Sequence, residues 1–461
     1  MIKDGRHYSK EDIILISESA MGKSLEEIMT SKLIKIGEDR NKGGLGQLIE
    51  YYLFDMENNS ESEPDFLDAG IELKVTPYKR IQNNQLSAKE RLVLNIIDYN
   101  TEFANEFKAS HFWYKNSKIQ ILWYLWTEDG NKYTYKFTNH KLLDLAISDD
   151  LKQIESDWND IIKKIKDGLA HEISEADTMY LGACTKGANA NSVRTQPFSD
   201  IKAKQRAFCF KTSYMTQLVR KYIGDYSNVE KIISDKSKTF IDYVNDVINK
   251  YKGRTQKELL NMFSLDSKAK SINSMLVSRM FNITGNIGET EEFLKANIIP
   301  RTIRIEENGR IKESMPFPTF KYKEIINQTW EESDLRNSLE ETKYMFFVFK
   351  MIDGEYVFKG IKLWNMPEIE IDNEVKQVWI KTVELIKNGN IVKSIDSNGT
   401  RSTYFPGMSE NPICHVRPHA ANSEDTYELP ISDKYTGLTE YTKHCFWINS
   451  KYLENILKEF N

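Results

Sequence analysis

EPDFLDAGIELKVTPYKR, residues 63–80, decides how this chain is read. Asp65 stands in a Pro-Asp turn, Gly70 precedes a short apolar run over 71–75, and Glu72 and Lys74 lie two residues apart. Strand side chains alternate between faces, so Glu72 and Lys74 share one face while Leu73 and Val75 turn to the core. A carboxylate, a six-residue gap and Glu-x-Lys therefore bring two hard oxygen donors and an ammonium to one place. Such a pair suits Mg2+, which polarises a phosphoryl oxygen and acidifies bound water. The lysine can orient the attacking water or offset charge at phosphorus. In a chain that is 28% charged, the same residues also read as a solvated turn leading to an edge strand, and their surroundings decide the matter.

A chain of 461 residues has room for two or three domains with cores of their own. No stretch has the apolar length of a membrane span and the start is polar without a secretory signal, so the expectation is a cytoplasmic chain with no membrane partner. Cys184, Cys209, Cys414 and Cys445 lack paired metal spacing and are too few for a disulfide scaffold; Cys184 and Cys209 read as packing residues. The histidines form no HxH or HxxxH cluster near the motif, which leaves zinc chemistry without support. The net charge of −5 conceals a basic stretch. Over 183–223, Lys186, Arg194, Lys202, Lys204, Arg206, Lys211, Arg220 and Lys221 face a single acid, Asp200. Asn189, Asn191, Thr195, Gln196, Gln205 and Tyr214, interleaved among them, are residue types that bond phosphate and base edges.

Apolar periodicity predicts helices over 24–35 and 45–56, the second with Leu48, Ile49, Tyr52 and Leu53 inward and Glu50 placed to add a carboxylate to the Asp65/Glu72 pair. Strands are expected at 92–97, 111–114, 119–127 and 133–137, with a hairpin turn at 128–131, and helices at 151–167 and 213–222. The remainder repeats this order at low similarity. Residues 341–367 parallel 111–143, QVWIKTVELIKNG (377–389) parallels SDWNDIIKKIKDG (156–168), RPHAANS (417–423) parallels CTKGANA (184–190), and HCFWINSKYL (444–453) parallels RAFCFKTSYM (206–215). The expectation is a first domain over 1–225, a helical connector over 226–255 and a second domain over 256–461. Matching back from Arg310-Ile311 to Arg80-Ile81 puts Thr302 and Arg304 opposite Glu72 and Lys74, so the second copy would bind without cutting.

The segments KGGLGQLIE (42–50), PDFLDAGIELKVTPYKR (64–80), SAKERLVLNII (87–97) and CTKGANANSVRTQPFSDIKAKQRAFCFK (184–211) resemble the GATC-specific endonucleases of the MutH-like family. The resemblance implies an α/β fold with a restriction-endonuclease-like mixed-sheet core, duplicated in two related domains. It also implies double-stranded DNA cleavage at GATC, 5′ of the G, leaving 5′-phosphates and a four-base 5′ overhang. By position, Asp65 and Glu72 resemble the Mg2+ ligands, Lys74 the catalytic lysine, and Glu50 the helix glutamate beside the metal. Lys42 resembles a lysine near that centre, Lys186 and Asn189 the loop that enters the major groove, and 208–211 the strand beside it. The basic residues Arg194, Lys202, Lys204, Arg206 and Lys211, with Arg417, His419 and Asn422 of the second copy, complete the expected DNA contacts.

Where the mismatch-repair branch carries Val-Arg-Pro-Lys, the first half has Ala183-Cys184-Thr185-Lys186, and the second half restores Val416-Arg417-Pro418-His419. Cysteine cannot make a bidentate contact to guanine, so base reading in the first half must differ. Arg417 could read bases, hold phosphate or pair with Glu424 or Asp425. The implied partners are DNA carrying one or two GATC copies, a second chain met transiently on DNA, and a cognate methyltransferase that forms no stable complex. The competing readings are a methylation-dependent nickase of mismatch-repair type and a noncatalytic sequence-specific DNA-binding protein.

Overall fold

Residues 72–80 form a nine-residue strand that is buried along most of its length, and the rest of the first half is arranged around it. The computed structural model describes residues 5–32, 44–57, 62–187, 192–224, 229–266 and 271–461. They fall into a first unit, Met1–Val244 with Gly288–Ile298, and a second, Asn245–Ile287 with Ile299–Asn461. Among the described residues no helix is long and apolar enough to cross a membrane. All four cysteines are free and buried.

The first unit runs α1 (Lys10–Ser19), α2 (Leu25–Ser31), α3 (Leu45–Tyr52), β1 (Glu72–Arg80), β2 (Leu86–Ala88), β3 (Leu92–Ile96), α4 (His111–Asn116), β4 (Lys118–Leu125), β5 (Phe137–Asp144), α5 (Leu151–Lys166), β6 (Leu181–Thr185), β7 (Val193–Gln196), β8 (Ser199–Lys204), β9 (Arg206–Phe210) and α6 (Thr212–Tyr222). One mixed sheet has the order β2-β1-β4-β5. In it β1 lies parallel to β4, with Glu72 opposite Ile119 and Lys74 opposite Ile121, and antiparallel to β2. A parallel pair needs a crossover, which the stretch containing β2, β3 and α4 supplies. A second sheet, β3-β9-β6, is antiparallel on both sides of β9, and β7 and β8 form a separate two-stranded ribbon.

Local chemistry sets the elements that carry the site. Ser24 and Glu27 close a capping box at the start of α2, satisfying backbone N–H groups that a helix start leaves open. In α3, Leu48, Ile49 and Tyr52 pack with Phe54, Phe66, Ile71 and Leu73 in one apolar cluster, fixing this helix beside β1. Residues 111–114, expected as a strand, are the start of α4, because the Ser110 hydroxyl caps the Trp113 N–H and Phe112 turns inward. The strand expected at 133–137 is a turn that Asn131 holds through its side chain and carbonyl, and β5 begins only at Phe137.

On α5, Ile154, Trp158, Ile161, Ile162 and Ile165 form the buried stripe, with Asp157 fully buried among them. Its carboxylate accepts the N–H groups of Met179 at 2.9 Å, Tyr180 at 2.6 Å and Leu181 at 2.9 Å, as well as the Gln153 amide at 2.9 Å, and so pins the start of β6. Gly168 then ends the helix at φ 71, where a Cβ would stand 2.6 Å from the Phe198 carbonyl oxygen. Farther along, the returning segment Gly288–Ile298 carries Lys295, which is 3% exposed and pairs with Asp150 at 2.7 Å and Glu291 at 2.5 Å.

The second unit holds β10 (Ile298–Ile305), β11 (Met315–Phe320), β12 (Lys343–Ile352), β13 (Glu355–Trp364), β14 (Val392–Ile395), β15 (Arg401–Thr403), β16 (Cys414–Pro418), β17 (Thr426–Glu428), β18 (Glu440–Thr442) and β19 (His444–Ile448). Its sheets are β10-β12-β13 and β11-β19-β16, with two-stranded ribbons β14-β15 and β17-β18. Both partners of β19 are antiparallel to it. The helix Lys376–Lys387 ends at Gly389, φ 62, where a Cβ would lie 2.7 Å from the Ser432 carbonyl oxygen.

Replacing Asp157 by alanine leaves three buried backbone N–H groups without their acceptor. Asp157→Ala is therefore expected to destabilise the first unit by about 3 kcal/mol or more, read as a lower denaturant midpoint; an unchanged midpoint would show that this carboxylate does not hold α5 to β6.

Candidate active site

The six-residue gap between Asp65 and Glu72 is the length of a tight reverse loop. Phe66 and Ile71 exchange backbone hydrogen bonds of 2.9 and 3.2 Å, and Gly70 takes φ 60 to close the turn between them. Asp65 is thereby folded back beside the start of β1. Its Oδ2 accepts the Leu73 N–H at 2.8 Å, and its own N–H points to Glu72 Oε2 at 3.3 Å.

Glu72 is 2% exposed, and two ammonium groups attend it. Lys74 Nζ donates to Oε1 at 2.7 Å, and Lys115 Nζ, arriving from α4, is 3.7 Å from Oε2. Lys115 also donates to the Glu63 carbonyl at 3.0 Å, next to Pro64. Glu50 lies within the electrostatic reach of Glu72, Lys74 and Lys115.

Burial, and after it the charge of Glu72, pushes Asp65 up to about 7. Burial also raises Glu50, with Glu72 adding to the rise and Lys74 and Lys115 opposing it. For Lys74, burial works against the charge, but Glu72 and Asp65 outweigh it and hold the ammonium above its ordinary range. The site thus gathers three carboxyl groups, Glu50, Asp65 and Glu72, against two ammonium groups, Lys74 and Lys115, so acid exceeds base. A divalent cation fits that imbalance, and oxygen is the donor Mg2+ prefers.

Among the described residues no group of three or more His, Cys, Asp or Glu side chains is arranged to hold a metal ion. Mg2+ is commonly held by one or two carboxylates, with water and phosphate filling the other positions, and Asp65 with Glu72 is a donor set of that size. Lys115 was missed in the sequence because its segment was read as a strand. The signal was there: Ser110 as a cap and a four-residue spacing from His111 to Lys115 on one helix face.

The expected DNA contacts separate by burial. Lys186, Arg194 and Lys202 are exposed, and Lys204 is half-buried on β8 of the ribbon. Arg206 and Lys211 are corrections, since each is only 2% exposed. Arg206 donates to the Ala183 carbonyl at 2.8 Å and Lys211 to the Thr178 carbonyl at 2.5 Å; they stitch β9 to β6 and the start of α6 to the segment leading into β6. Gln196 is likewise buried, bonding Ala170 N–H and the Ile201 carbonyl at the base of the ribbon. Lys42 and Asn189 lie outside the described residues.

In the second unit Arg417 stacks on the Trp447 ring at 3.8 Å, and His419 meets the same ring edge-on at 5.2 Å. Asp425, one of the acids considered for Arg417, is engaged by Lys443 at 2.5 Å instead. Asn422 is exposed, with its side-chain oxygen accepting the Glu424 and Asp425 N–H groups.

Known proteins resemble both the site and the whole chain. The family model described as DNA mismatch repair enzyme MutH matches residues 54–157, which include the reverse loop, β1 and α4. The chain is 35% identical to the Type II restriction enzyme Sau3AI of Staphylococcus aureus over 98% of its length and 99% of that protein's. DNA mismatch repair protein MutH of Actinobacillus pleuropneumoniae serotype 3 is 23% identical over 47% of this chain and 95% of its own, and that of Shewanella woodyi 27% identical over 41% and 80%. With a relative matched nearly end to end and the family model lying across the paired carboxylates, the chain belongs to the MutH-related type II restriction endonucleases.

Proposed function

We propose that this chain is a Mg2+-dependent type II endonuclease that hydrolyses double-stranded DNA at GATC, cutting 5′ of the G to leave 5′-phosphates and a four-base 5′ overhang. The observation that carries the reading is the reverse loop that sets Asp65 against Glu72, with Lys74 bonded to the same carboxylate. Asp65 and Glu72 would hold the cation. When bound, it supplies polarisation of a phosphoryl oxygen and a more acidic water.

The chain's own groups do the rest. Lys74 stays protonated between acids, where its charge offsets the negative charge that grows on the phosphate as water attacks. Lys115 adds a second positive charge from α4 while gripping the Glu63 carbonyl, and Glu50 adds a third carboxyl to the field around Asp65. Arg194, Lys202 and Lys204 would follow the backbone from the β7-β8 ribbon, an element slim enough for the major groove, and Lys186 from just past the end of β6. By the family resemblance, Asn189 would join the loop that enters the major groove, and Lys42 would act near the carboxylate centre.

The second unit reads as a second copy without the metal centre. Apart from β2, which has no counterpart, two sheets of similar strand order, a central β9 or β19 antiparallel to both neighbours, and a long helix ended by a left-handed glycine support that reading. The hairpin after β1 closes from Ile81 N–H to the Gln85 carbonyl, and a turn after β10 closes from Glu306 N–H to the Arg310 carbonyl. Matching those two turns would set Asn297 and Ile299, in place of Thr302 and Arg304, opposite Glu72 and Lys74. The conclusion about chemistry is unchanged, because an amide and an aliphatic chain do not replace an anionic ligand and an ammonium. In this reading Arg417, His419 and Asn422 face a second GATC copy, and binding there favours cleavage through transient association of chains on DNA. The enzyme would act in the cytoplasm beside a methyltransferase that protects host DNA without forming a stable complex with it.

The match to the mismatch-repair model favours a second reading, a nickase acting on unmethylated strands. Digestion of unmethylated, adenine-methylated and cytosine-methylated DNA with Mg2+, followed by sequencing of the ends, separates the two. Double-strand breaks before G of GATC are expected, and single-strand nicks alone would favour the nickase. Glu72→Ala should lose cleavage by about a thousandfold or more and Lys74→Ala by about a hundredfold, with duplex binding retained in filter or shift assays. DNA with two GATC copies should be cut faster than DNA with one, and equal rates per site across enzyme concentrations would remove the role given to the second unit.

A further inference from the structure

His111, the first residue of α4, lies between two fixed partners. Its Nε2 is 2.7 Å from the Ser62 carbonyl oxygen and its Nδ1 is 3.3 Å from Asn95 Nδ2. A carbonyl oxygen can only accept, so Nε2 carries the proton; Nδ1 then presents a lone pair to the Asn95 N–H. Asn116 fixes the Asn95 amide in that sense by donating to Asn95 Oδ1 at 2.8 Å, while also donating to the Phe112 carbonyl at 3.0 Å. Asn95 is 7% exposed and Asn116 fully buried, so the relay starts in the packed interior and ends on the backbone just before the Pro64-Asp65 turn.

Lys115 is one helical turn farther along the same face and takes the next carbonyl, that of Glu63, at 3.0 Å. Helix α4 therefore grips two successive carbonyls immediately ahead of the residue that must meet Glu72. Beside this grip opens a cavity of about 680 Å3 lined by Ser62, Asn95, Asp98, Glu102, His111 and Lys115. Space on that side gives the Ser62 carbonyl somewhere to go once the bond from His111 is lost.

We propose that His111 is a positioning residue for the cation site: its neutral Nε2–H tautomer, oriented by Asn95 and Asn116, clamps the Ser62 carbonyl and thereby sets Asp65 at the right distance from Glu72. It touches neither DNA nor the ion. The inference rests on the reading of Asp65 and Glu72 as cation ligands, and residues behind metal ligands commonly govern affinity in this way.

The test uses the full chain and three variants, His111→Phe, His111→Gln and Glu72→Ala. Mn2+ binding to the protein without DNA is followed by the EPR signal of the free ion, and Mg2+-dependent cleavage and metal-free duplex binding are measured in parallel. His111→Phe should weaken Mn2+ binding about tenfold or more and raise the Mg2+ concentration for half-maximal cleavage to match. His111→Gln, whose amide can still donate to a carbonyl, should recover most of the loss, and duplex binding should not change. Wild-type midpoints in His111→Phe overturn the proposal. So does a cleavage rate reduced equally at all Mg2+ concentrations with unchanged Mn2+ affinity, which would mark a merely structural role. A Glu72→Ala protein that binds Mn2+ normally and still cleaves overturns the underlying site assignment instead, however the His111 variants behave.

Discussion

Like-charge crowding at the start of β1 is the constraint on which the rest of the first unit is organised. Two carboxyl groups do not approach one another in a buried setting unless the backbone forces them to, and here it does so through the paired Phe66 and Ile71 peptides and the bond from Leu73 N–H to Asp65. The apolar cluster of α3 with Phe54, Phe66, Ile71 and Leu73 anchors that loop from one side. From the other, α4 holds it by its carbonyls. Burial first, and the charge of Glu72 after it, keep the Asp65 carboxyl raised, and a divalent cation would offset both.

The arrangement of lysines follows from the same imbalance. Lys74 is on the strand with Glu72 and its distance is set by the period of two; Lys115 comes from a helix distant in sequence and its distance is set by how α4 packs. One ammonium is therefore tied rigidly to the carboxylate, and the other reports on the position of the loop. A centre assembled from a strand, a reverse loop and two helices is more tightly held than one carried on a loop alone.

Asp65, Glu72 and Lys74 were legible in the sequence because their relation is local: alternation along a strand, and a gap whose length equals a closed loop. Glu50 was legible through the inward pattern of α3. What failed depended on tertiary context. HFWY at 111–114 is aromatic and β-prone, yet the Ser110 cap and the burial of Phe112 make it helical, which hid Lys115 and His111. Arg206 and Lys211 counted towards a basic surface, but β9 is the middle strand of its sheet and both side chains are spent on carbonyls inside. A tally of charges cannot see that.

The buried ion cluster of Lys295 with Asp150 and Glu291 bears on how the protein can be taken apart. Lys295 belongs to a stretch that completes the first unit although the chain has already supplied part of the second before reaching it. A fragment truncated at residue 244 would keep Asp150, whose side chain is 13% exposed, without the ammonium that neutralises it, at a cost of about 3–5 kcal/mol. Neither unit can thus be isolated by a single cut, and in biosynthesis the amino-terminal half has to wait for residues near 295 to leave the ribosome before its fold is complete.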